Sequence, residues 1–170
     1  MSHFLLQCIT LDGIDIPHED QVMQLCEAGA KWIQLRMKNS SKTEVKQVAQ
    51  SVKPFCDDHG AILLINDYLD IALQTGVGGV HLGRMDMDWK EARKVAGPDL
   101  IIGGTVNSLR DARFALASDC LDYVGVGPFR FTSTKERLAP VLEKRQLEEI
   151  VEFLGDLPKV VIGGVQPDDL

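Results

Sequence analysis

Gln34, Arg36 and Lys38 occupy alternate positions of the run Trp32-Ile33-Gln34-Leu35-Arg36-Met37-Lys38. In an extended strand their side chains point to one side, and those of Leu35 and Met37 to the other. A strand covered on both faces does not normally carry Arg and Lys inward without an anion, because an unpaired charge in a low-dielectric interior is expensive. Arg36 suits bidentate contact with phosphate oxygens, and Lys38 adds a mobile point charge. The competing reading of the same residues is an edge strand with a solvated basic face.

Asn66-Asp67 ends a strongly apolar run, and Asp86 follows Val80-His81-Leu82-Gly83. Two carboxylates with an amide nearby offer oxygen ligands suited to Mg2+, which keeps several waters and takes its remaining ligands from substrate phosphate. Thr105 closes a later apolar run. The segment Thr132-Ser133-Thr134-Lys135 has hydroxyls and backbone amides that can surround a phosphate, with Lys135 to neutralise a leaving group. Gly163-Gly164 allows a ligand close to the backbone. Each has a plainer reading: a turn residue at Asp67, a polar loop at 132–135, a tight turn at 163–164. His81 reads first as a satisfied core histidine, and Trp32 and Trp89 as packing residues. Asp57, Asp58, Asp70 and Asp88 fall in or at the start of helix-like segments and read as surface groups. Metal-thiolate spacing, a nucleophile elbow, a P-loop and a dinucleotide fingerprint are all absent from the sequence.

The elements that must carry these residues are seven short apolar or β-branched runs, at 4–10, 31–37, 61–66, 79–83, 100–105, 122–127 and 159–164. Segments with helical apolar spacing alternate with them: Asp20 to Ala28, Thr43 to His59, Leu69 to Thr75, Trp89 to Val95, Ser108 to Ala117 and Lys144 to Leu154. Continuous runs such as Ala61-Ile62-Leu63-Leu64-Ile65 suit parallel strands covered on both faces. The class is therefore α/β, with candidate site residues gathered at the carboxyl ends of the strands, as in a parallel barrel. Asn39 to Thr43 and Asn107-Ser108 supply N-caps. Gly29, Gly60, Gly76, Gly78 and Gly97 suit left-handed helix ends.

A TIM (β/α)8-type barrel needs one strand more than the seven counted. The missing eighth β/α unit would take roughly 40 further residues. The expectation is one barrel domain over 1–170, incomplete at its C-terminus, or else closed by a partner chain covering the edge between the seventh and first strands. That arrangement leaves a homo-oligomer open.

The 170 residues are 45% hydrophobic and 25% charged, ordinary for a single soluble domain. A formal charge of −7 argues against a nucleic-acid backbone as partner, and the basic residues read as local tools for small anionic ligands. The scattered Cys8, Cys26, Cys56 and Cys120 suggest reduced thiols in core packing. A basic leader and a membrane-length apolar stretch are lacking, so the expected compartment is the cytoplasm, with no membrane partner.

Taken together, Gln-Leu-Arg-x-Lys, Ile-Asn-Asp, Val-His-Leu-Gly-x-x-Asp, Ile-Gly-Gly-Thr, Asp-Tyr-Val-Gly-Val-Gly-Pro and Thr-Ser-Thr-Lys resemble the thiamine phosphate synthase family in order and spacing, over essentially the whole chain. The resemblance implies a (β/α)8 barrel. Its implied reaction joins 4-amino-2-methyl-5-(diphosphomethyl)pyrimidine to 4-methyl-5-(2-phosphoethyl)thiazole, releasing diphosphate, with Mg2+ as the metal. Matched by position, Gln34, Arg36, Lys38, Asn66, Thr105 and Lys135 would contact the pyrimidine diphosphate. Asp67 and Asp86 would hold Mg2+, while Thr132, Ser133, Thr134 and Gly164 would receive the thiazole phosphate. Arg36, Lys38 and Lys135 would stabilise the charge that develops on the leaving group. The chain departs from the family in having Thr105 for the commoner serine, Asn107 where histidine is usual and Arg84 where glutamine is typical. The Arg84 change, close to Asp86, carries an expected difference in substrate affinity. The alternatives are a thiazole tautomerase-like relative, a catalytically silent phosphate-ligand binder, and another phosphosugar barrel enzyme, which would call for an acid–base pair.

Overall fold

The computed structural model describes residues 6–131 and 140–169. Strand and helix alternate along them: β1 (Cys8–Ile9), α1 (His18–Glu27), β2 (Trp32–Leu35), α2 (Lys42–Asp58), β3 (Ile62–Asn66), α3 (Leu69–Thr75), β4 (Gly79–Leu82), α4 (Trp89–Ala96), β5 (Ile101–Val106), α5 (Leu109–Ser118), β6 (Tyr123–Val126), α6 (Lys144–Phe153) and β7 (Lys159–Val161). A short 3-10 turn, Pro167–Asp169, follows. The seven strands form one parallel sheet in sequential order. This is the α/β arrangement of a barrel wall, seven strands around. Most of the sequence runs prove longer than their strands, the first and last among them. Of 4–10 only Cys8–Ile9 pairs regularly among the described residues. The strand of the run 159–164 ends at Val161, although Ile162 still donates to the Val126 carbonyl at 2.8 Å, and Gly163 and Gly164 follow with φ values of +87° and +69°.

Alternation along each strand separates two cores. Ile33, Leu35, Leu63, Ile65, Val80, Leu82, Ile102, Val106, Val124 and Val126 face outward, fully buried beneath the helices with Val22, Val45, Val52 and Trp89. Each such side chain contributes about 1.5–3 kcal/mol of transfer free energy on burial. The opposite face carries Trp32, Leu64 and Tyr123, against which Ile62, Ile101 and Val160 pack. Trp32 and Tyr123 meet edge to face, with ring centroids 4.6 Å apart. Tyr123 fits there because its strand neighbour across the ladder is Gly103, where a Cβ would stand 2.2 Å from the phenol ring.

Local signals account for several helix ends. Ser41 caps α2 in a reciprocal capping box with Glu44, and Asp88 caps α4 by accepting from the amides of Lys90 and Glu91. Ser108 accepts from the Asp111 amide at the start of α5. Gly76 provides the left-handed end of α3, but Gly78 does not act as a cap. A Cβ at Gly78 would lie 2.6 Å from Ile62, so this glycine is needed for close approach. Among the described residues no helix is long and apolar enough to cross a membrane.

Candidate active site

The carboxyl ends of β2, β3 and β4 bring the cationic and acidic residues together. Arg36 lies just beyond β2 and is 6% exposed, on the same side of the chain as the buried Gln34. Lys38 follows two residues later, and its ammonium bonds to the Asp67 carboxylate from the end of β3. Asp67 leaves β3 with φ at +69°, in the left-handed region that Asp tolerates better than most residues. Its amide still donates to the His81 carbonyl at 2.8 Å, so the turn begins within the ladder.

Asp86 curls back across the loop after β4 and accepts from the Gly83 amide at 2.6 Å. Burial pushes its carboxyl above the ordinary carboxylate range. The adjacent Asp67 carboxylate adds to that rise, against the lowering effects of the Gly83 amide and of Lys38. Two carboxylates are thus held side by side with, among the described residues, the Lys38 ammonium bonded to one of them, an arrangement that favours a further cation. Asn66 supplies a second sign of incompleteness. It is 8% exposed, and its amide nitrogen Nδ2 has no hydrogen-bond partner, a costly state for a buried donor. Asn66 and His81 are neighbours across the β3–β4 ladder.

The donor set fits Mg2+. Among the described residues no third His, Cys, Asp or Glu joins the pair. Mg2+ is commonly held by one or two carboxylates, with water and substrate phosphate oxygens completing its shell. A site for zinc would call for more protein ligands and softer ones.

Deeper in the barrel, His81 is bonded at both ring nitrogens: Nδ1 lies 2.8 Å from the Tyr123 hydroxyl and Nε2 2.9 Å from Thr105 Oγ1. The Tyr123 hydroxyl also accepts from Gln7 Nε2 at 2.8 Å and bonds Gln34, while burial drives its pKa upward. His81 therefore acts as a satisfied core histidine that links the interior aromatic layer to Thr105. Thr105, at the end of β5, keeps hydrogen-bonding capacity beyond its His81 contact.

Other residues singled out in the sequence have partners that its local pattern does not show. Arg84 leans away from the carboxylate pair: its Nε sits 3.4 Å from Asp111 Oδ1, and its guanidinium lies 3.9 Å from the centroid of Phe114. Asn107 donates from its side chain to the Gly127 carbonyl, a structural contact. A Cβ on Gly164 would meet Arg130 Cβ at 2.8 Å and the Phe131 carbonyl oxygen at 3.1 Å, so the space on that side of the turn is filled by the 130–131 backbone and the Arg130 stem. Arg130 binds Asp169 through both guanidinium nitrogens, which holds the Asp169 carboxyl down at about 2. Thr132, Ser133, Thr134 and Lys135 lie outside the described residues.

Sequence reasoning overlooked a group behind Arg36 and Lys38. Thr10 Oγ1 accepts from the Arg36 amide at 3.0 Å, and Asp12 Oδ2 accepts from the Lys38 amide at 2.9 Å and sits 3.9 Å from Arg36 Nη1. His18 bridges the two, with Nδ1 2.9 Å from Thr10 Oγ1 and Nε2 3.2 Å from Asp12 Oδ1. The one available signal was Thr10-Leu11-Asp12 at the end of the first apolar run, the same strand-end position that marked the other candidates.

Residues 6–170 match the family described as thiamine monophosphate synthase. The chain is 41% identical over 169 residues to the thiamine-phosphate synthase of Bacteroides fragilis, spanning 97% of this chain and 82% of that protein. The Bacteroides thetaiotaomicron thiamine-phosphate synthase is likewise 41% identical over 169 residues, covering 97% and 80%. Among solved structures, the thiamine phosphate pyrophosphorylase of Pyrococcus furiosus superposes with a TM-score of 0.85 at 32% identity, over 98% of this chain and 78% of that one. The 2-keto-3-deoxy-6-phospho-gluconate aldolase of Zymomonas mobilis, at 15% identity and a TM-score of 0.63 over 95% and 72%, shares the fold alone.

Proposed function

The chain belongs to the thiamine monophosphate synthase family, and from that premise we propose how its residues divide the work of joining the pyrimidine diphosphate to the thiazole phosphate to give thiamine phosphate and diphosphate. The observation that carries the reading is the Asp67–Asp86 pair beside the Lys38 ammonium, with the unpartnered Asn66 Nδ2 next in sequence to Asp67. Opposed charges and an open donor match a diphosphate delivered with its metal.

In this reading Arg36 and Lys38 grip the diphosphate, and Asn66 donates its amide to a diphosphate oxygen. Gln34 and Thr105 contact the pyrimidine diphosphate from the barrel interior. Thr132, Ser133, Thr134 and Gly164 receive the thiazole phosphate. Asp67 and Asp86 hold Mg2+, which when bound supplies positive charge to the leaving diphosphate. The electron-rich aminopyrimidine expels diphosphate, and the thiazole nitrogen captures the carbon left behind, so no protein nucleophile is required. The residues act by position and by stabilising charge on the leaving group. Small anionic substrates, Mg2+ and a cytoplasmic location belong to the same proposal. A phosphosugar isomerase is not favoured, since His81 is engaged at both nitrogens by Tyr123 and Thr105.

The test is incubation with both phosphorylated substrates, with Mg2+ and with chelator, while thiamine phosphate and diphosphate are followed together. Equal, Mg2+-dependent formation of the two is expected, and absence of both products would count against the reading. Within it, Lys135→Ala should slow single-turnover chemistry more than it weakens substrate affinity. Weakened affinities with an unchanged single-turnover rate would remove Lys135 from the leaving-group role.

A further inference from the structure

The two cationic residues of β2's end are held from behind by residues of the β1 end. Arg36 and Lys38 each present a backbone amide to that neighbour, where Thr10 takes one and Asp12 takes the other. Both amides lie beyond the regular β1–β2 pairing, which ends at Ile9 and Gln34. Without Thr10 and Asp12 the chain carrying the two cations would have no cross-strand tie from these two donors. The acceptors are themselves fixed. His18, in the first turn of α1, spans Thr10 and Asp12, with Nδ1 against the Thr10 hydroxyl and Nε2 against the Asp12 carboxylate, and the same hydroxyl lies 3.4 Å from the Arg36 carbonyl oxygen. The loop between is stapled by the buried Gln21, whose amide donates to the carbonyls of Leu11 and Ile16 at 2.9 and 2.8 Å and whose oxygen accepts from the Leu11 amide at 2.8 Å.

Asp12 also faces the Arg36 guanidinium at 3.9 Å, with its own side chain 16% exposed. One carboxylate thus does three things at once: it accepts the Lys38 amide, accepts from His18 and orients Arg36. We propose that Asp12, set by His18 and Thr10, is a positioning residue that aims Arg36 and Lys38 at an incoming diphosphate. This rests on the assignment of Arg36 and Lys38 as diphosphate ligands.

Simple electrostatics and positioning make opposite predictions for Asp12→Asn. Removing a negative charge beside a cationic anion site should strengthen anion binding by Coulomb's law. Positioning requires the reverse. An asparagine turned with its oxygen to the Lys38 amide presents NH2 to His18 in place of a carboxylate oxygen, and it removes the negative charge that faces Arg36.

The probe is inorganic diphosphate with Mg2+, titrated calorimetrically into the full chain. Asp12→Asn is expected to weaken diphosphate affinity about tenfold, the scale expected of a sub-ångström misplacement of ligating groups. His18→Ala, which leaves the carboxylate in place, is expected to weaken it in the same direction, and His18→Gln, which can donate to Asp12 and accept from Thr10, to restore most of the loss. In turnover the KM for the pyrimidine diphosphate should rise while that for the thiazole phosphate stays level, a split that general loosening of the fold would not give. Tighter or unchanged diphosphate binding in Asp12→Asn overturns the proposal, as does failure of the wild-type chain to bind diphosphate. A wild-type chain that binds diphosphate but forms no thiamine phosphate counts against the synthase reading instead, and the affinities of the variants still decide this one.

Discussion

At the amino ends of the strands, Arg93 spends its guanidinium on the carbonyls of Cys120, Gly97 and Leu100 at 2.7–3.1 Å and on the Asp122 carboxylate at 2.5 Å. Asp122 in turn accepts the Ile102 amide at 2.7 Å. At the carboxyl ends, Asp67 and Asp86 sit side by side with the Lys38 ammonium bonded to Asp67, itself on left-handed backbone, and the neighbouring Asn66 donor has no partner. The same sheet therefore carries one polar cluster that is complete and one that is not. The complete cluster ties α4 to the starts of β5 and β6 and serves stability. The incomplete one has the charge pattern of a site that a cation and an anion fill together.

The contrast should be sharpest in activity. Asp67→Asn retains a residue that tolerates positive φ while removing one of the proposed metal-holding carboxylates, and it should lower the rate of thiamine phosphate formation at least about a hundredfold. Its circular dichroism and thermal midpoint should stay near wild type. A rate within a fewfold of wild type would break the distinction between the two clusters.

Arg93→Ala should do the converse. Its loss leaves Asp122 and three carbonyls short of a donor, at a cost of about 3 kcal/mol in unfolding free energy. The turnover number of the molecules that remain folded should be unaltered. Chemical denaturation together with active-site-normalised kinetics measures both, and a fall in turnover number without loss of stability would place Arg93 with the wrong cluster.

The smallest effect is expected from Asp86→Asn on the ligand-free chain. The folded protein raises the Asp86 carboxyl above its ordinary range, so the ionised form is disfavoured by folding. Asparagine keeps the acceptor for the Gly83 amide and removes the repulsion with Asp67. The thermal midpoint should therefore rise slightly at neutral pH. That gain should vanish as pH falls below the ordinary carboxylate range, where wild-type Asp86 is protonated in both folded and unfolded states. A gain that persisted at low pH would point to a cause other than charge.

Much of this was legible from periodicity. The spacing predicted a helix over Leu69 to Thr75 that matches α3, and it predicted the starts of α4 at Trp89 and α6 at Lys144, because each segment buries one apolar stripe between clear strand runs. The alternation Gln34, Arg36, Lys38 correctly implied a buried charge at Arg36, whereas Lys38, beyond the end of β2, is exposed. Less legible was anything set by contacts distant in sequence. The clamp of Thr10, Asp12 and His18 has no local pattern, since its meaning depends on amides 26 residues away. The orientation of Arg84 was likewise hidden, because Phe114 and Asp111 that draw it off lie on α5. Gly164 read as a glycine that lets a ligand near the backbone, and the close packing of Arg130 and Phe131 beside it was not legible in the sequence.

The most direct test of the contrast is the thermal midpoint of the wild-type chain and of Asp86→Asn, each with and without Mg2+ and inorganic diphosphate together. At a hundredfold excess over the dissociation constant, the pair should stabilise the wild type by about 2.7 kcal/mol, a shift of several degrees, and should leave Asp86→Asn nearly unmoved. No shift in the wild type, or an equal shift in both, would mean that the carboxyl-end cluster is not the site that these ligands complete.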